Sequence, residues 1–289
     1  MNRVSVVVPH FEDAVRLRRC LEALALAPTD ALHETEIVVV DNASSADLAW
    51  VTADFPFVRL VIETKSGAAP TRNRGVAETS ASRIAFLDCD CVPDQGWLRR
   101  VHEVELNETG EIIGGRIETF EETPPPRSGA EAFEAVFAFD QKAYVERKGF
   151  SVTANMVFGR ALFDRVGGLR AGVSEDVEWC HRARDMGAEI RYDPRLAVSH
   201  PTRVDWVSLR KKWLRTTREA YGTSHENKAA WLAKAAMMPL SALVHAPKIL
   251  FSGRLTGFGE RASGLATLIR LRVARGWWML LLALGRTPS

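Results

Sequence analysis

Over roughly the first hundred residues, short and uniformly apolar runs alternate with segments whose apolar residues recur every three or four positions. Val4–Val8 (VSVVV) stops at Pro9, Ile37–Val40 (IVVV) at Asp41 and Ile84–Leu87 at Asp88, with Val58–Ile62 as a further run of the same kind. Ala14–Ala27 carries the helical spacing. Strands apolar on both faces and separated by helices predict a parallel sheet covered on both sides. In such sheets ligands bind beyond the carboxyl ends of the strands. Three strands here end in Pro9-His10-Phe11-Glu12, Asp41-Asn42 and Asp88-Cys89-Asp90, so polar and acidic groups converge on one rim. That rim is the candidate site.

Further along, ETFEETPPPRS (118–128) is irregular, because its three consecutive prolines forbid regular structure. Glu131–Arg147 reads as a helix, and 149–169 as a strand or loop and then a short helix closed by Gly167-Gly168. Ser174-Glu175-Asp176 suits a helix start, with acids in the first turn, and that helix runs to about Gly187. EIRYDPRLAVSH (189–200) predicts a strand, a turn at Asp193-Pro194 and a second strand ending at His200.

From residue 203 the pattern changes. Trp206, Leu209, Trp213, Leu214, Thr217 and Tyr221 fall at helical spacing among arginines and lysines. AAMMPLSALVHAP and GWWMLLLALG are uncharged but only 13 and 10 residues long. A spanning helix needs about 20. The net charge of +2 hides an uneven division: residues 203–289 hold 15 Lys+Arg against 4 Asp+Glu (+11), leaving 23 against 32 (−9) in residues 1–202. An acidic body with a basic, Trp-rich tail predicts a tail lying on an anionic membrane surface. The plainer alternative is amphipathic helices packed on the body. No nucleic-acid-binding module accompanies the charge, so no nucleic-acid partner is expected. The apolar stretch in MNRVSVVVPHFED is too short for a secretory signal, and the cysteines (20, 89, 91, 180) have no disulfide-framework or zinc-ribbon spacing. Both point to a cytoplasmic protein, peripheral on the inner face of the plasma membrane.

Taken in order, VVVPHFED, VVVDNASSAD, GAAPTRNRGV, FLDCDCVPD, TANMVFGR and SEDVEWCHRARDMG resemble the family 2 glycosyltransferases of GT-A fold. The resemblance covers about residues 3–202. It implies an α/β GT-A domain with a mostly parallel, Rossmann-like sheet flanked by helices, its nucleotide-sugar half at 1–117 and its acceptor half at 118–202. A basic helical extension follows at 203–289. The implied activity is inverting, metal-dependent transfer of a sugar from a nucleotide-diphosphate donor, UDP favoured, to an acceptor hydroxyl.

The chemistry of the blocks is consistent with that activity. A departing nucleoside diphosphate gains negative charge, which a hard divalent cation stabilises as a Lewis acid. The D-x-D resemblance implies Asp90 as a ligand of Mn²⁺ or Mg²⁺, with Asp88 on ribose or sugar hydroxyls or sharing the metal. Cys89 and Cys91 would alternate to the other face of an extended segment, and thiolates would select a softer ion. By resemblance Pro9 and Phe11 line the base pocket with Glu12 nearby, Asp41 bonds base or ribose, and Arg72 and Asn73 match the family's A-R-N-x-G block. The lesser alternative for Asp41 is an Asx turn after the strand. Asp176 matches the base of the family's E-D pair, where it would deprotonate the acceptor hydroxyl, and Glu175 would assist the acceptor or the local structure. Asn155 falls in a segment that contacts donor sugar or acceptor. His200 is where relatives supply a third metal ligand. His10 and His181 receive no role.

Processive synthases of the family carry Q-x-x-R-W, which LRKKW (209–213) matches only in its basic-Trp pair, so one sugar per encounter is expected, with Lys212 a possible contact to the diphosphate. The tail implies a lipid-linked or membrane-proximal saccharide acceptor, in polysaccharide or glycolipid synthesis. The rival readings are a sugar-phosphate nucleotidyltransferase, which would want a Gly-rich loop that PHFEDAVRL does not offer, and a catalytically silent nucleotide-sugar-binding scaffold.

Overall fold

The computed structural model of the protein describes residues 4–107, 110–223 and 227–288. By internal contacts it divides into two units, 1–118 with 140–171 and 175–200, and 119–139 with 172–174 and 201–289.

The first unit opens with β1 (Val4–His10), α1 (Ala14–Ala25), α2 (Thr29–His33), β2 (Thr35–Asp41), α3 (Trp50–Asp54), β3 (Val58–Ile62), α4 (Ala68–Ala77) and β4 (Arg83–Leu87). Next come β5 (Val92–Pro93), α5 (Trp97–Glu103) and β6 (Glu111–Phe120), whose last two residues belong to the second unit. Among the described residues these strands join an eight-stranded sheet, completed by β7 (Asn155–Gly159) and β8 (Glu189–Pro201), in the order β3-β2-β1-β4-β7-β6-β8-β5. The first four strands are parallel; β7 then runs antiparallel to β4 and β6, and β5 antiparallel to β8, so the sheet is mixed.

The strands are apolar on both faces because both are covered. Val7, Val38, Val40, Ile84 and Phe86 join one core with Val76 of α4, Phe163 of α8 (Arg160–Val166) and Trp179 of α9 (Glu175–Asp185). Alternation sends Val6, Val8, Val39, Ala85 and Leu87 to the opposite side, and all are buried. Fully burying side chains of this size contributes roughly 1.5–3 kcal/mol each. Gly75 lets α4 approach the sheet, since a Cβ there would overlap Val7 and press on Val40.

Three predicted elements differ. The helix expected over 131–147 breaks: α6 (Gly129–Phe137) ends, and Asp140 caps a short α7 (Gln141–Ala143) that widens into a π turn at Tyr144–Lys148. No turn forms at Asp193-Pro194, and β8 continues through it. The Asp193 carboxylate accepts from the Arg195 N–H at 3.0 Å and from the Arg100 guanidinium at 2.7 Å, so the side chain bonds locally without reversing the chain. Finally, Asp88-Cys89-Asp90-Cys91 is a tight turn closed by the Cys91 N–H on the Asp88 carbonyl at 3.0 Å, not an extended segment with alternating faces.

The second unit gathers α6 with α10 (Trp206–Thr223), α11 (Lys228–Met237), α12 (Ser241–Leu250) and α13 (Gly257–Ala283). Residues 119–139, read from the sequence as part of the acceptor half, therefore belong with the tail. Ala132 and Phe133 of α6 share a core with Leu209, Ile249, Leu268, Leu271 and Trp278. Glu134, buried in this core, bonds the Arg203 guanidinium at 3.0 Å and the Lys212 ammonium at 2.9 Å. The lysine expected near a diphosphate is thus bonded to a carboxylate of its own unit. No single helix among the described residues is long and apolar enough to cross a membrane; α11 and α12 meet the test together but are bent by 45°.

Candidate active site

Strand register assembles the first part of the rim. His10 lies directly opposite Asp41 on neighbouring parallel strands, and each is the last residue of its strand. The Asp13 N–H donates to His10 Nε2 at 3.1 Å, so Nδ1 carries the proton and donates to Asp41 Oδ1 at 2.8 Å. Ser44 adds its hydroxyl to Oδ1 at 2.5 Å and its N–H to Oδ2 at 3.0 Å. Asp41, expected to meet base or ribose, is buried and held by three protein donors, and His10, given no role from sequence, orients it.

The loops after β1 and β2 interlock. Glu12 and Ala43 have left-handed backbones, φ 52° and 53°, unusual for residues with a Cβ. The Glu12 carboxylate accepts from the Ser45 N–H at 2.7 Å and its hydroxyl at 3.0 Å, and the Glu12 N–H donates to Ser44 Oγ at 2.9 Å. Asn42 extends the brace: its amide donates to the Glu63 and Lys65 carbonyls at 2.9 and 2.8 Å and accepts from the Gly67 N–H at 2.8 Å. Glu12 is therefore a loop fastener. Phe11 beside it is 60% exposed, a large apolar face open at the rim, while Pro9 is half-buried within β1.

The second part centres on Arg72. Buried on α4, it donates to Asp88 Oδ1 at 2.5 Å and to Glu175 Oε1 at 3.1 Å, and its Nε has no partner among the described residues. One guanidinium thus joins a strand-end acid to the first residue of α9. The Trp179 and Cys180 side chains of α9 are buried, and Glu175 and Asp176 lie one turn before them on the same face. That direction aims both acids inward. The Asp176 carboxyl is pushed up to about 6, by burial first and then by the neighbouring Glu175 charge, against the Val177 N–H and the Arg72 charge. An acid held near neutrality in this way is poised to accept a proton.

The third part is Asp90 with His200. The Val92–Ser199 pairing of β5 with β8 brings the end of β8 alongside the acidic turn. His200 Nε2 lies 3.1 Å from Asp90 Oδ2. Carboxylate and imidazole are donors that Mn²⁺ or Mg²⁺ accepts, and the two stand close enough to share one ion. Among the described residues no three His, Cys, Asp or Glu side chains form a metal group. The expected trio of Asp88, Asp90 and His200 is therefore not assembled: Asp88 is turned to Arg72, and Asp90 and His200 are left as the close pair. Burial first, then the Asp90 and Asp88 charges, raise the Cys89 and Cys91 thiols well above their ordinary range, which keeps both as neutral thiols near pH 7.

Two expected site residues are placed elsewhere. Asn73 donates to the Leu169 carbonyl at 2.8 Å and accepts its N–H at 2.9 Å, tying α4 to the loop after α8. Asn155 is fully buried: its amide donates to the Arg116 and Leu196 carbonyls at 3.0 and 2.9 Å and accepts the Trp97 indole N–H at 2.9 Å. The Asn155 amide is filled by buried partners and presents no free N–H to a sugar, while Asn73 is half-buried and engaged with the Leu169 backbone. Trp97 and Asn42 carried no sequence signal beyond their types. His10 did carry one, as the residue ending a strand next to the one that ends at Asp41.

The sheet order, the acids beyond parallel strand ends and the buried Arg72 bridge describe an α/β fold with an acidic site at the carboxyl rim of its sheet. Residues 5–172 match the model of glycosyl transferase family 2, more than half of the chain, and the chain belongs to that family. It is a glycosyltransferase of GT-A fold. Among curated relatives, glycosyltransferase AglE of Haloferax volcanii is 26% identical over 73% of this chain and 70% of its own length. The pre-mycofactocin glycosyltransferase of Mycobacterium tuberculosis is 26% identical over 98% of this chain but only 63% of its own length, so the chain spans under two thirds of that relative. Among solved structures, mannosyltransferase PcManGT from Pyrobaculum calidifontis, in complex with GDP-Man and Mn²⁺, aligns with a TM-score of 0.57 at 17% identity over 99% of this chain and 76% of its own. TarS 1-349 of S. aureus with UDP-GlcNAc aligns at 0.55 and 13% identity, covering 98% and 92%.

Proposed function

We propose that the chain is an inverting, metal-assisted glycosyltransferase that moves one sugar from a nucleoside-diphosphate donor to an acceptor hydroxyl. The observation that carries this reading is the placement of Asp176, an inward-facing carboxyl raised to about 6 at the start of α9. As general base it takes the proton of the acceptor hydroxyl as that oxygen attacks the anomeric carbon, opposite the departing diphosphate. Arg72 fixes Glu175 beside it and fixes Asp88, whose remaining oxygen meets donor hydroxyls. Phe11 offers a face for the base at the rim, above the Asp41–His10 pair that sets the loop.

Asp90 and His200 would hold a divalent ion, Mn²⁺ or Mg²⁺, which when bound neutralises charge on the diphosphate. UDP-sugars are the favoured donors; the solved neighbours bind UDP-GlcNAc and GDP-Man, so both nucleotides belong in the assay. The acceptor is a lipid-linked or membrane-proximal saccharide, reached from the inner leaflet. Support comes from the +11 charge of residues 203–289 and from exposed apolar side chains on the second unit: Leu243 (73%), Val244 (75%) and Phe251 (84%).

Donor hydrolysis and transfer with UDP- and GDP-sugars, with and without Mn²⁺, test the reading. Turnover is expected to fall by about 10²–10⁴ in D176N. In H200Q the Mn²⁺ needed for half-maximal rate should rise about tenfold or more. Full activity in both D176N and D90A sinks the mechanism.

A further inference from the structure

We infer that Arg272 and Arg275 of α13, with the Trp213 indole of α10, form a binding site for a phosphate group. The two arginines are three residues apart and so share a face of α13. Neither pairs with a carboxylate among the described residues. Arg272 donates to the Met238 sulfur at 3.5 Å, and its Nε is a buried donor without an acceptor. Arg275 lies over the Trp213 ring at 4.5 Å and reaches the Thr217 hydroxyl at 3.4 Å, a long bond. The Trp213 N–H is itself buried and without an acceptor.

Carboxylates of this unit are engaged with other groups. Glu134 pairs with Arg203 and Lys212, Glu260 with Arg127, and Glu219 with Arg215, while Asp205 bonds Ser208. Burial brings the Arg275 guanidinium down to about 10, the Arg272 charge adding to the effect, and burial lowers Arg272 too. Both still carry their charge at neutral pH. Two adjacent, partly buried cations without an anion are unfavourable, and the unfilled buried donors add to that. A phosphate group answers all of it. Its oxygens accept from both guanidinium forks and the indole, and its charge offsets theirs.

That phosphate could sit on an anionic lipid or be free in solution, and only the lipid source rests on the membrane reading above. The experiment compares thermal melts and vesicle flotation of the full chain for wild type, R272Q/R275Q, W213F and the charge-matched surface control K211Q/K228Q. In phosphate-free buffer R272Q/R275Q should melt no lower than wild type, because like charges have been removed. Inorganic phosphate at fixed ionic strength should raise the melting temperature of wild type and of the control by several degrees. It should raise that of W213F less and leave R272Q/R275Q unmoved. An equal rise in wild type and R272Q/R275Q overturns the site. So does no rise in wild type, or, where R272Q/R275Q does not fold, an undiminished rise in W213F.

Flotation with phosphatidylcholine vesicles, with and without phosphatidylglycerol, identifies the source. Partitioning at least tenfold weaker in R272Q/R275Q than in the control assigns the site to a lipid headgroup. Equal partitioning, or none in any variant, alongside a lost phosphate response assigns it to free phosphate; the absence of all flotation sinks the membrane reading and leaves the site standing.

Discussion

Replacing Asp176 with asparagine should make the protein more stable while removing its activity. The folded Asp176 carboxyl is raised from 3.8 to about 6 because folding buries it and sets Glu175 beside it. A raised acid means that folding works against ionisation. The penalty is absent below the unfolded value of 3.8, grows between there and about 6, and is complete above it. At about 1.4 kcal/mol for each tenfold change, the full rise corresponds to ~3 kcal/mol. The residue is half-buried, so screening by solvent brings the expected gain in D176N to about 1–2 kcal/mol. Asparagine keeps the shape and can still accept from the Val177 N–H, which bonds Oδ1 at 2.8 Å. For a chain of this size, melting should rise by about 2–6 °C near pH 8. At about pH 4, where the wild-type carboxyl is already protonated in the fold, the difference should disappear. Melts of both proteins across this range are the assay, beside a turnover assay in which D176N loses about 10²–10⁴. If D176N melts no higher than wild type near pH 8, or gains as much at pH 4, burial and Glu175 do not set this group.

The same geometry predicts the acid limb of kcat/KM at about 6, rising as Asp176 deprotonates, and a shift of that limb to lower pH in E175Q, since the Glu175 charge raises its neighbour. A limb unmoved in E175Q contradicts that electrostatic account. R72K should destabilise by about 3–5 kcal/mol in urea titrations, because a single ammonium cannot span Asp88 and Glu175 as the guanidinium fork does. Wild-type stability in R72K shows that the bridge is not structural. N155A should cost about 1–3 kcal/mol, for it leaves the Trp97 indole and the Arg116 and Leu196 carbonyls without partners, while the donor KM stays unchanged. A raised donor KM with normal stability would return Asn155 to the sugar site.

The part of the site legible in the sequence is the part that strand ends define. An apolar run that stops at an acid fixes where that acid lies along the sheet, and parallel register does the rest. Asp41 and His10 meet because β1 and β2 pair in step, and Asp90 meets His200 because β5 and β8 do. Asp176 was singled out by the E-D resemblance; as a bare pair the two acids read only as a helix start, and it is the buried Trp179 and Cys180 one turn on that set their face. The resemblance already divided the acids, with Asp90 on a metal and Asp88 on ribose or sugar hydroxyls or sharing the metal. The guanidinium that arrives from another element was not legible: beyond the turn at Cys89, Asp88 falls to Arg72 and Asp90 to His200. Asn73 and Asn155 show the converse, since an amide near a site has the same letter whether it faces a sugar or completes a backbone, and in this structure both bond backbone. Burial separates the two cases, and burial is a property of the assembled sheet. On the proposed mechanism the Arg72 bridge would also tie the donor side of the site to the base: whatever draws Asp88 away from Arg72 changes the charge beside Glu175, and through it the proton affinity of Asp176. Donor binding and deprotonation of the acceptor would then be coupled through one buried arginine.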